Sequence, residues 1–523
     1  MSLRATYRAP GAARYRAEGG AWDVPDLDTL FRQRPVQGGP AVVDGDRRID
    51  ADELERLVAG LAGGLRSAGV RRGDVVAWQL PNWLEALALF RACWRLGAVA
   101  APVHHQVGAG EVSYMLEVVE PRLVLSSPSL PLADATEAVG VRDGTGRFEA
   151  LASGRPVTAG SARPADLAVV VFTSGSTGRP KAVLHRHRAL AYKARTMTAV
   201  HGLSRDDVVL MPSPLAHVSG LLNAVLVPGA AGMRAVLMER WDPERGLRLM
   251  ADEGVSFMIG PPAMFTAVLE VPGFTGEQVA RMRVVSTGMM GVRPEFIEAA
   301  HEGLGAIVKR SYGSTEAPTV STCTNDDPLE RCRDTDGRAV GQAELRVVDP
   351  STGRVRRAGE TGEVWVRGPE LFSGYADAAD TAAAVESGWF RTGDLGRLDG
   401  GGWLTITGRL KELIIRGGEN ISSAEVEEVL ERHPSVAQAV VVGSPDERLG
   451  ERVAAFVVPR RDAGSGIDVE ECRRWFADQG MARFKTPEVV VTIDELPLLA
   501  AGKPDRASLR ARAADLAGVG GEL

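Results

Sequence analysis

Short runs of apolar residues alternate with helical segments from the start of the chain to about residue 335. Clear examples of such runs are Val75–Leu80, Ala98–Val103, Val208–Met211 and Phe257–Gly260. Strands that are apolar along their whole length are typical of parallel sheets with helices on both faces. The alternation therefore predicts an α/β region built on mostly parallel sheets.

Residues at the ends of two predicted helices support this interpretation. Asp50 and Glu53 have the spacing of a capping box, in which each side chain accepts a hydrogen bond from the backbone of the other residue. We place the end of that helix at Gly69. A second helix is predicted from Asn82 to Gly97, because glycine commonly follows the last turn of a helix.

The pattern changes after about residue 335, where short strands separated by glycine turns predominate. Beyond Arg409 we predict a compact unit with helices at 423–432 and 468–479 and strands at 436–442, 452–458 and 489–493. The chain is therefore expected to contain a large N-terminal domain, residues 1–408, and a small α+β C-terminal domain, residues 409–523.

Length and composition exclude several classes of protein. A chain of 523 residues is too long for a single hydrophobic core. Its net charge of −7 argues against nucleic-acid binding over a broad surface, which requires a basic footprint. The start of the chain does not resemble a secretion signal, and the uncharged stretch 208–233 contains three prolines. We therefore expect a cytoplasmic protein without integral membrane association.

The cysteines have no spacing that is typical of a metal site. Cys93, Cys323, Cys332 and Cys472 include no C-x-x-C pair, so neither a disulfide framework nor a zinc site is expected. A pair between Cys323 and Cys332 is the less favoured alternative to free thiols.

The segment from Thr173 to Lys181 alternates hydroxyl-bearing residues with glycines and ends in a lysine. Backbone N–H groups, hydroxyls and one ammonium group can converge there on phosphate oxygens, and the glycines permit a tight turn. Only six of the 61 basic residues are lysine, so a lysine in a glycine-rich motif suggests a chemical role. The segment is not a Walker A loop, because G-x-x-x-x-G-K-[ST] is absent.

Further motifs follow in a fixed order along the chain. Tyr312-Gly-Ser-Thr-Glu316 comes after an apolar run, and Arg391-Thr-Gly-Asp394 lies in the strand-rich region. Gly408-Arg-Leu-Lys411 and a Gly- and Ala-rich segment with Lys503 complete the series. Together these motifs resemble those of the adenylate-forming superfamily, which comprises acyl-CoA synthetases, nonribosomal adenylation domains and luciferases. The resemblance spans roughly residues 41 to 510.

The resemblance implies a fold and a movement. It implies that the N-terminal domain holds a β-barrel-like subdomain beside its helix-covered sheets. It also implies that the small C-terminal domain is mobile and rotates about a hinge near Lys411.

The resemblance further implies a role for each motif residue. Tyr312 packs on adenine, Thr315 binds phosphate or the substrate carboxylate, and Glu316 holds Mg²⁺, a cation that prefers oxygen ligands. Asp394 binds both ribose hydroxyls, and Arg409 contacts the ribose and the phosphates. The other residues expected to bind the nucleotide are Thr173, Ser174, Gly175, Ser176, Thr177, Gly178, Lys181, Gly288, Met289, Gly313 and Ser314.

A pocket for the acyl group is expected near His217. The resemblance assigns this pocket to His217, Val218, Gly288 and Met290, and the CoA tunnel to Gly417 and Gly418. No acidic residue neighbours His217 in the sequence, so a cationic substrate group has no evident partner. Together with Gly288 and the methionines, this favours an acid with an uncharged acyl group, medium-chain, alicyclic or aryl. A buried core position is the alternative for His217, and one of the two methionines is expected to fill core space. His104 and His105 follow a predicted strand, and no physical argument assigns them a role.

These residues imply a reaction in two steps. A carboxylate attacks the α-phosphate of ATP, pyrophosphate leaves, and a thiol then attacks the acyl-adenylate. Because the first step brings anions together, the placement of cations should supply most of the help, and Lys503 is the best candidate to bridge the carboxylate and the α-phosphate.

The leading hypothesis is an acyl-CoA synthetase of fatty acid metabolism that uses ATP, Mg²⁺ and CoA. One alternative is a stand-alone adenylating ligase that loads the pantetheine of a carrier protein. Another is a non-catalytic acyl- or nucleotide-binding relative, which the retention of Lys181, Glu316, Asp394, Arg409 and Lys503 disfavours. Whether the protein is a monomer or a homodimer stays open.

Overall fold

The computed structural model of the protein describes residues 3, 6–7, 9, 12–132, 138–173, 179–288, 292–416, 419–446, 448–460, 466–499 and 503–519. The chain divides into two compact units. The first consists of Met1–Leu345, Trp365–Thr392 and Gly401–Leu404, and the second of Arg346–Val364, Gly393–Gly400 and Thr405–Leu523. The boundary proposed between residues 408 and 409 stays a prediction.

The first unit is built on two large sheets with helices. Within its described residues, one sheet has the strand order β15-β14-β13-β12-β11-β9-β10-β1-β2 and the other has the order β6-β5-β3-β4-β7-β8. These strands are β1 Val42–Asp44, β2 Arg47–Ile49, β3 Val75–Gln79, β4 Val99–Val103, β5 Leu123–Ser126, β6 Val139–Gly140, β7 Leu167–Thr173, β8 Lys181–Arg186, β9 Val208–Met211, β10 Arg234–Leu237, β11 Phe257–Gly260, β12 Val284–Thr287, β13 Ile307–Tyr312, β14 Ser321–Thr322 and β15 Arg338–Ala339.

The α-helices of this unit are Ala12–Arg16, Leu27–Arg32, Ala51–Ser67, Leu84–Leu96, Ala109–Val119, Arg147–Ala152, His187–Val200, Val218–Gly220, Val227–Ala231, Pro243–Glu253, Pro262–Leu269, Pro294–Leu304, Leu329–Asp334 and Ala378–Ala384. A π-helix spans Leu221–Leu226, and a 3-10 helix spans Gly276–Val279.

The predicted capping box and the glycine after the second helix are confirmed, whereas the first helix ends at Ser67 instead of Gly69 and the second begins at Leu84 instead of Asn82. Asp50 and Glu53 form the capping box at the start of the helix Ala51–Ser67, through hydrogen bonds of 2.7 and 3.1 Å. Gly97 follows the helix Leu84–Leu96 with a φ of 68°, in the left-handed region that glycine adopts without strain.

Most neighbouring strands in both sheets are parallel, as the uninterrupted apolar runs predicted. Strands β9, β10, β11, β12 and β13 all run in the same direction. Their carboxyl ends therefore meet at one edge of the sheet, which is where ligands bind in open α/β folds.

Large aromatic residues fill the core of this unit. Trp78 of β3 packs edge-on against Phe90, with ring centroids 4.8 Å apart. The indole N–H of buried Trp94 donates to the carbonyl of Ala168 at 2.9 Å, so its polar atom is satisfied. These contacts join strands of the six-stranded sheet to the helix Leu84–Leu96.

Two further sheets follow in the chain. The strand-rich region predicted as barrel-like contains a sheet with the order β16-β17-β19-β18 and with β20 paired to β19. The last sheet, in the second unit, has the order β22-β21-β24-β23, with β25 paired to β24. The strands are β16 Glu344–Val348, β17 Gly362–Arg367, β18 Val385–Glu386, β19 Trp389–Leu398, β20 Leu404–Arg409, β21 Leu413–Arg416, β22 Glu419–Ser422, β23 Val436–Asp446, β24 Gly450–Pro459 and β25 Val489–Thr492.

The second unit has the α+β character expected of its sequence. Its α-helices are Ser423–Glu431, Val469–Asp478 and Arg506–Val519, and short 3-10 helices occupy Leu410–Glu412 and Arg483–Lys485. The sequence did not predict the helix Arg506–Val519, whose Ala- and Arg-rich composition lacks a regular apolar repeat. The predicted α/β fold with a small α+β C-terminal region is confirmed.

Candidate active site

The predicted ligand-binding segments of the first unit follow the carboxyl ends of parallel strands. Gly288 comes directly after β12, residues 313–316 come directly after β13, and the loop to His217 leaves β9. The fold therefore brings three segments, separated by up to about a hundred residues, to one edge of the nine-stranded sheet.

The predicted phosphate segment connects two paired strands. Strand β7 ends at Thr173 and antiparallel β8 begins at Lys181, and these two residues face each other in register. Both strands thus fix the ends of the connection. Ser174, Gly175, Ser176, Thr177 and Gly178 lie outside the described residues.

Lys181 belongs to a chain of contacts that the sequence patterns did not predict. Its Nζ lies 2.6 Å from Oδ1 of Asp380 and 5.1 Å from the ring centroid of Tyr375. Tyr375 Oη donates a 2.6 Å hydrogen bond to Oε1 of Glu316. Burial and the neighbouring charge of Glu316 raise the pKa of Tyr375, so the phenol remains a neutral donor. Lys181 and Glu316 are therefore brought to the same place by one tyrosine.

Backbone hydrogen bonds hold Tyr375 in this position. Ser373 donates to the carbonyl of Leu184 in β8, and Ala376 donates to that of Ala182. The amide of Phe372 donates to the carbonyl of Glu316 at 2.8 Å. This segment consequently links the strand of Lys181 to the loop of Glu316.

The Tyr312–Glu316 motif forms a tight loop after β13. Tyr312 is the last residue of the strand, and the amide of Ser314 donates to the carbonyl of Ala317 at 3.0 Å. A Cβ atom on Gly313 would lie 2.3 Å from the backbone nitrogen of Thr319, so only glycine fits this position.

Thr315 is held by a histidine that the sequence patterns missed. The ring of His185 makes a 2.7 Å hydrogen bond to the carbonyl oxygen of Thr315 through Nε2. Because that carbonyl can only accept, Nε2 must carry the proton. Burial lowers the pKa of His185 to about 4, which keeps the ring neutral near pH 7.

Gly288 lies close to the neighbouring strand. A Cβ atom at this position would lie 2.8 Å from the carbonyl oxygen of Ser311. The preceding residue, Thr287, has a buried hydroxyl that makes no hydrogen bond within the part of the chain that the structure describes. Such a group is a candidate to contact a ligand. Met289 and Met290 lie outside the described residues.

A buried asparagine positions the loop that carries His217 and Val218. Asn82 accepts from the amide of Leu215 at 2.8 Å and donates to the carbonyls of Ser213 and Met238. His217 is exposed and caps the short helix Val218–Gly220 by accepting from the amide of Ser219. It is therefore not the buried core histidine that the sequence left as the alternative.

His104 lies near His217. Burial lowers the pKa of His104 to about 4, and the charges of His105 and His217 contribute to the decrease. The rings of His104 and His105 stack with centroids 4.7 Å apart. The structure thus adds two neutral imidazoles to the predicted acyl-binding region.

In the second unit, Asp394 and Arg409 form an ion pair. Arg409 Nε lies 2.9 Å from Oδ1 of Asp394, which is buried in β19. The two residues lie on the neighbouring strands β19 and β20. The sheet therefore fixes a carboxylate and a guanidinium side by side.

Lys503 lies among charged residues of the same unit. Burial lowers the pKa of Lys503 below its ordinary value of 10.5, and the positive charges of Arg409 and Lys411 lower it further. Asp394 and Glu412 oppose this effect. Although Lys503 is an exposed residue, two cations and two carboxylates lie close enough to affect its ammonium group.

The loop that carries Lys503 is closed at its base by backbone hydrogen bonds. Leu499 donates to the carbonyl of Lys503 at 2.7 Å, and Asp505 donates to that of Pro497 at 2.8 Å. Leu498 and Leu499 are 60% and 45% exposed, which is unusual for leucine and suits a loop that contacts another surface.

Arg506 anchors this loop to the second unit, and the sequence patterns did not identify it. Its guanidinium donates to both carboxylate oxygens of Glu427, at 2.6 and 2.8 Å. Arg506 Nε also lies 3.6 Å from Oε2 of Glu412, beside Lys411. A bidentate pair of this kind fixes direction as well as distance.

Lys411 lies in the 3-10 helix Leu410–Glu412 between β20 and β21, and it is exposed. A short irregular turn between two strands is compatible with a hinge, and the hinge stays a prediction. Gly417 and Gly418 lie outside the described residues, between the paired strands β21 and β22.

The two units offer different chemistry. The first provides a lysine, a carboxylate and a buried hydroxyl at the carboxyl edge of parallel strands, which suits a phosphorylated ligand with a divalent cation. The second provides an ammonium group and a carboxylate–guanidinium pair. The described residues contain no cluster of three or more His, Cys, Asp or Glu able to hold a metal ion by themselves.

Two further observations concern the whole described chain. None of its helices is both long enough and apolar enough to cross a membrane. Cys93, Cys323, Cys332 and Cys472 are all buried free thiols, as expected.

Comparisons with known proteins cover almost the entire chain. A family model described as AMP-binding enzyme matches residues 31–376, and another described as AMP-binding enzyme C-terminal domain matches residues 425–503. The medium-chain fatty-acid–CoA ligase of Escherichia coli is 32% identical, with 98% of this chain and 94% of that protein aligned. The indoleacetate–CoA ligase of Aromatoleum aromaticum is 34% identical, with 90% of this chain and 95% of that protein aligned. The crystal structure of ATP-bound MatB from Rhodopseudomonas palustris aligns with a TM-score of 0.86 at 30% identity and covers 94% of this chain and 99% of that chain.

Proposed function

Because the chain belongs to the AMP-binding enzyme family of the adenylate-forming superfamily, we propose that it is an acyl-CoA synthetase. It converts a carboxylic acid, ATP and CoA into acyl-CoA, AMP and pyrophosphate. The observation that carries the proposal is the chain of contacts from Lys181 and Asp380 through Tyr375 to Glu316. These contacts support the proposal because they join a lysine and a carboxylate through one tyrosine, and we assign phosphate binding to Lys181 and Mg²⁺ binding to Glu316.

The first step forms an acyl-adenylate. A carboxylate oxygen of the acid attacks the α-phosphorus of ATP, and the bond from that phosphorus to its bridging oxygen breaks, so pyrophosphate leaves. Lys181 binds the phosphates, and Lys503 neutralises the α-phosphate and the attacking carboxylate. An ammonium group about 4 Å from an anion gains roughly 4 kcal/mol at an effective dielectric constant of ~20, before desolvation.

The second step transfers the acyl group. The CoA thiolate attacks the carbonyl carbon of the adenylate, the bond to the phosphate oxygen breaks, and AMP leaves. We assign Gly417 and Gly418 to the passage of the pantetheine arm, because a side chain there would narrow it. The hinge assigned to Lys411 separates the two steps through movement of the C-terminal region.

Other residues bind the nucleotide. Asp394 accepts from the ribose hydroxyls, Arg409 contacts the ribose and phosphates, and Tyr312 packs on adenine. Thr315, held by His185, contacts phosphate or the substrate carboxylate. The same role in nucleotide binding is assigned to Thr173, Ser174, Gly175, Ser176, Thr177, Gly178, Gly288, Met289, Gly313 and Ser314.

The residues present fit Mg²⁺. Glu316 offers a hard carboxylate of which one oxygen accepts from Tyr375, and Mg²⁺ is commonly held by one or two carboxylates together with substrate phosphates and water. When bound, the ion would neutralise phosphate charge. Glu316 would orient it, and Tyr375 would orient Glu316.

The substrate is proposed to be a medium-chain, alicyclic or aryl acid whose acyl group is uncharged. His217, Val218, Gly288 and Met290 are assigned to its pocket. The neutral His104 close to His217 supports this assignment, because it places no charge beside the acyl group.

A pyrophosphate-release assay tests the proposal directly. Octanoate, cyclohexanecarboxylate, benzoate and, as a charged control, aspartate are each incubated with ATP, Mg²⁺ and CoA, and the thioester is identified by mass spectrometry. We expect acid-dependent pyrophosphate release and acyl-CoA from at least one of the three acids whose acyl group is uncharged. Acid-independent or absent release over the whole panel would refute adenylation.

The acceptor is tested separately. The same acids are offered with free CoA or with a carrier protein that bears pantetheine, and the masses of both acceptors are measured. The proposal expects the thioester on free CoA. Acylation of the carrier protein alone would identify a carrier-loading ligase instead.

A further inference from the structure

A cavity of about 260 Å³ lies in the first unit, away from the candidate active site. Val42 and Ala235, which line it, stand at the amino ends of β1 and β10. Gly288 and Glu316, in contrast, follow the carboxyl ends of β12 and β13. The cavity and the candidate active site therefore belong to opposite edges of the nine-stranded sheet.

The inner wall of this cavity is apolar. It includes the buried side chains of Phe31, Leu87, Val225 and Met233. An engineered apolar cavity of about 150 Å³ is sufficient to bind benzene, so the present volume can accept an apolar body of at least that size.

The position of Phe31 in the wall depends on a glycine. A Cβ atom on Gly229 would lie 2.5 Å from Cδ1 of Phe31, so the absence of a side chain lets the ring pack there.

The cavity is lined by three arginines, Arg32, Arg34 and Arg91, and by two acids, Asp52 and Glu55. Asp28 and Glu55, the acids of this region with resolved ion pairs, are both committed to the fully buried Arg95. Arg95 lies 2.8 Å from Asp28 and 2.7 Å from Glu55. The second oxygen of Asp28 lies 3.1 Å from Arg32. Neither Asp28 nor Glu55 is therefore free to neutralise Arg91 fully.

Arg91 lines the cavity and, among the described residues, has only a long ion pair. Its side chain is only 15% exposed and lines the cavity, and its nearest acidic contact is Glu55 at 3.6 Å. Its Nε makes no hydrogen bond within the described chain. Burial lowers the pKa of Arg91; Glu55 and Asp28 oppose this effect, whereas the positive charges of Arg95 and Arg32 add to it. A buried guanidinium with spare donors is stabilised by a carboxylate, which it can bind in bidentate fashion.

We propose that this cavity binds an amphipathic carboxylate, with the carboxylate on Arg91 and the apolar body against Phe31 and Val225. A positively charged ligand is disfavoured because arginines outnumber acids in the lining, which includes Arg34 at the exposed side. A polyanion is disfavoured because Asp52 also lines the cavity.

The proposed site has a structural connection to the acyl-binding region. Val225 belongs to the π-helix Leu221–Leu226, which continues the short helix Val218–Gly220. A π-helix is rare and is frequently found at functional sites. An occupant of the cavity would therefore contact the same helical run that carries Val218.

Crystals of the protein soaked with 8-bromooctanoate test the proposal, since bromine can be located by its anomalous scattering. We expect a bromine peak between Phe31 and Val225 and carboxylate density on Arg91, whether or not the protein turns over acids. In solution, calorimetry should detect octanoate binding that Arg91→Leu loses, and octan-1-ol, which lacks the charge, should bind there at least about ten-fold more weakly.

Two variants and a matched control complete the experiment. Arg91→Leu removes the cation and Ala51→Trp fills the cavity, so each should abolish the peak. The control is Arg56→Gln. Arg56 is exposed, lies on the same helix as Ala51 and does not line the cavity, so this variant should retain the peak.

Three outcomes would overturn the proposal. The first is no bromine in the cavity of crystals that do bind the acid elsewhere. The second is a peak that persists in Arg91→Leu. The third is bromine that reaches the cavity only as part of an acyl-adenylate formed with ATP, because the cavity would then be the end of the acyl pocket.

Discussion

Lys181 and Lys503 belong to different units, and their surroundings differ in a way that bears on their roles. Lys181 already has a carboxylate partner, Asp380 at 2.6 Å. Lys503 instead has the cations Arg409 and Lys411 nearby, and its pKa is lowered by burial and by these charges. A phosphate must displace the partner of Lys181, whereas an anion beside Lys503 relieves an excess of positive charge. The comparison predicts that Lys503 contributes more to the transition state and Lys181 more to the binding of ATP.

The largest expected effect follows from removing Lys503. Lys503→Ala should lower the rate of adenylation by on the order of 10²–10³-fold, a typical loss for one preorganised electrostatic group. Thioester formation from a supplied acyl-adenylate should be spared, because the α-phosphate has already reacted. Pyrophosphate release and thioester formation are measured separately.

A lysine with a different environment provides the control. Lys485 lies in the same unit and is paired with Glu425 at 2.6 Å, so Lys485→Ala should leave both half-reactions within about two-fold of wild type, as expected for a surface ion pair. An equal loss of both half-reactions in Lys503→Ala would contradict the separation of roles.

A smaller effect is expected in the first unit from Tyr375→Phe, which removes the 2.6 Å hydrogen bond to Glu316. Loss of an outer partner of a metal ligand typically weakens metal binding by about 10- to 100-fold. The Mg²⁺ concentration for half-maximal adenylation should rise accordingly.

Tyr192→Phe removes a hydroxyl that accepts from the backbone of Gln342 and serves as the matched control. The same Mg²⁺ dependence in Tyr375→Phe and in wild type would separate Tyr375 from the metal.

The pH dependence of adenylation tests the electrostatic side of the comparison. Lys503 acts as a cation, so adenylation should be full below its pKa and should fall as the pH rises through it. Because that pKa lies below the ordinary 10.5, the decrease should begin at a lower pH than for an unperturbed lysine. Lys503→Arg should move the decrease to higher pH, since arginine stays protonated.

Lys411→Gln should also shift the decrease toward higher pH, because it removes a repulsive charge. If the adenylation rate depends on pH in the same way in wild type and in Lys503→Arg, a group other than Lys503 causes the decrease at high pH.

The sequence predicted most of the fold because burial leaves a local signal. Val208–Met211 and Phe257–Gly260 are uncharged between polar segments, and both are strands over those residues. The helix Arg506–Val519 was not predicted, since its apolar residues do not repeat along one face.

The site was predictable only where its residues occur in motifs. The pairs Lys181–Asp380 and Tyr375–Glu316 join residues 199 and 59 positions apart, and no local pattern identifies such partners. Arg506 was missed for the same reason, because its partner Glu427 lies 79 residues away.

The smallest expected effect concerns Asp380, the partner that a phosphate must displace from Lys181. Lys181 and Asp380 are 22% and 35% exposed, so their ion pair contributes only about 1 kcal/mol or less. Asp380→Asn should therefore strengthen ATP binding by about two- to five-fold, because Lys181 no longer has to exchange one anion for another. The dissociation constant for ATP, measured without acid, checks this result.

Asp380 also lies in the first turn of the helix Ala378–Ala384, where a negative charge is favourable, so the melting temperature must be recorded with the dissociation constant. Glu386→Gln, which removes the acid from the 3.7 Å pair with Arg391, controls for a general change of charge. Weaker ATP binding in a stably folded Asp380→Asn variant would show that Asp380 orients Lys181 toward the phosphates instead of competing with them. The proposal that phosphate must displace the partner of Lys181, which distinguishes Lys181 from Lys503, would then be wrong.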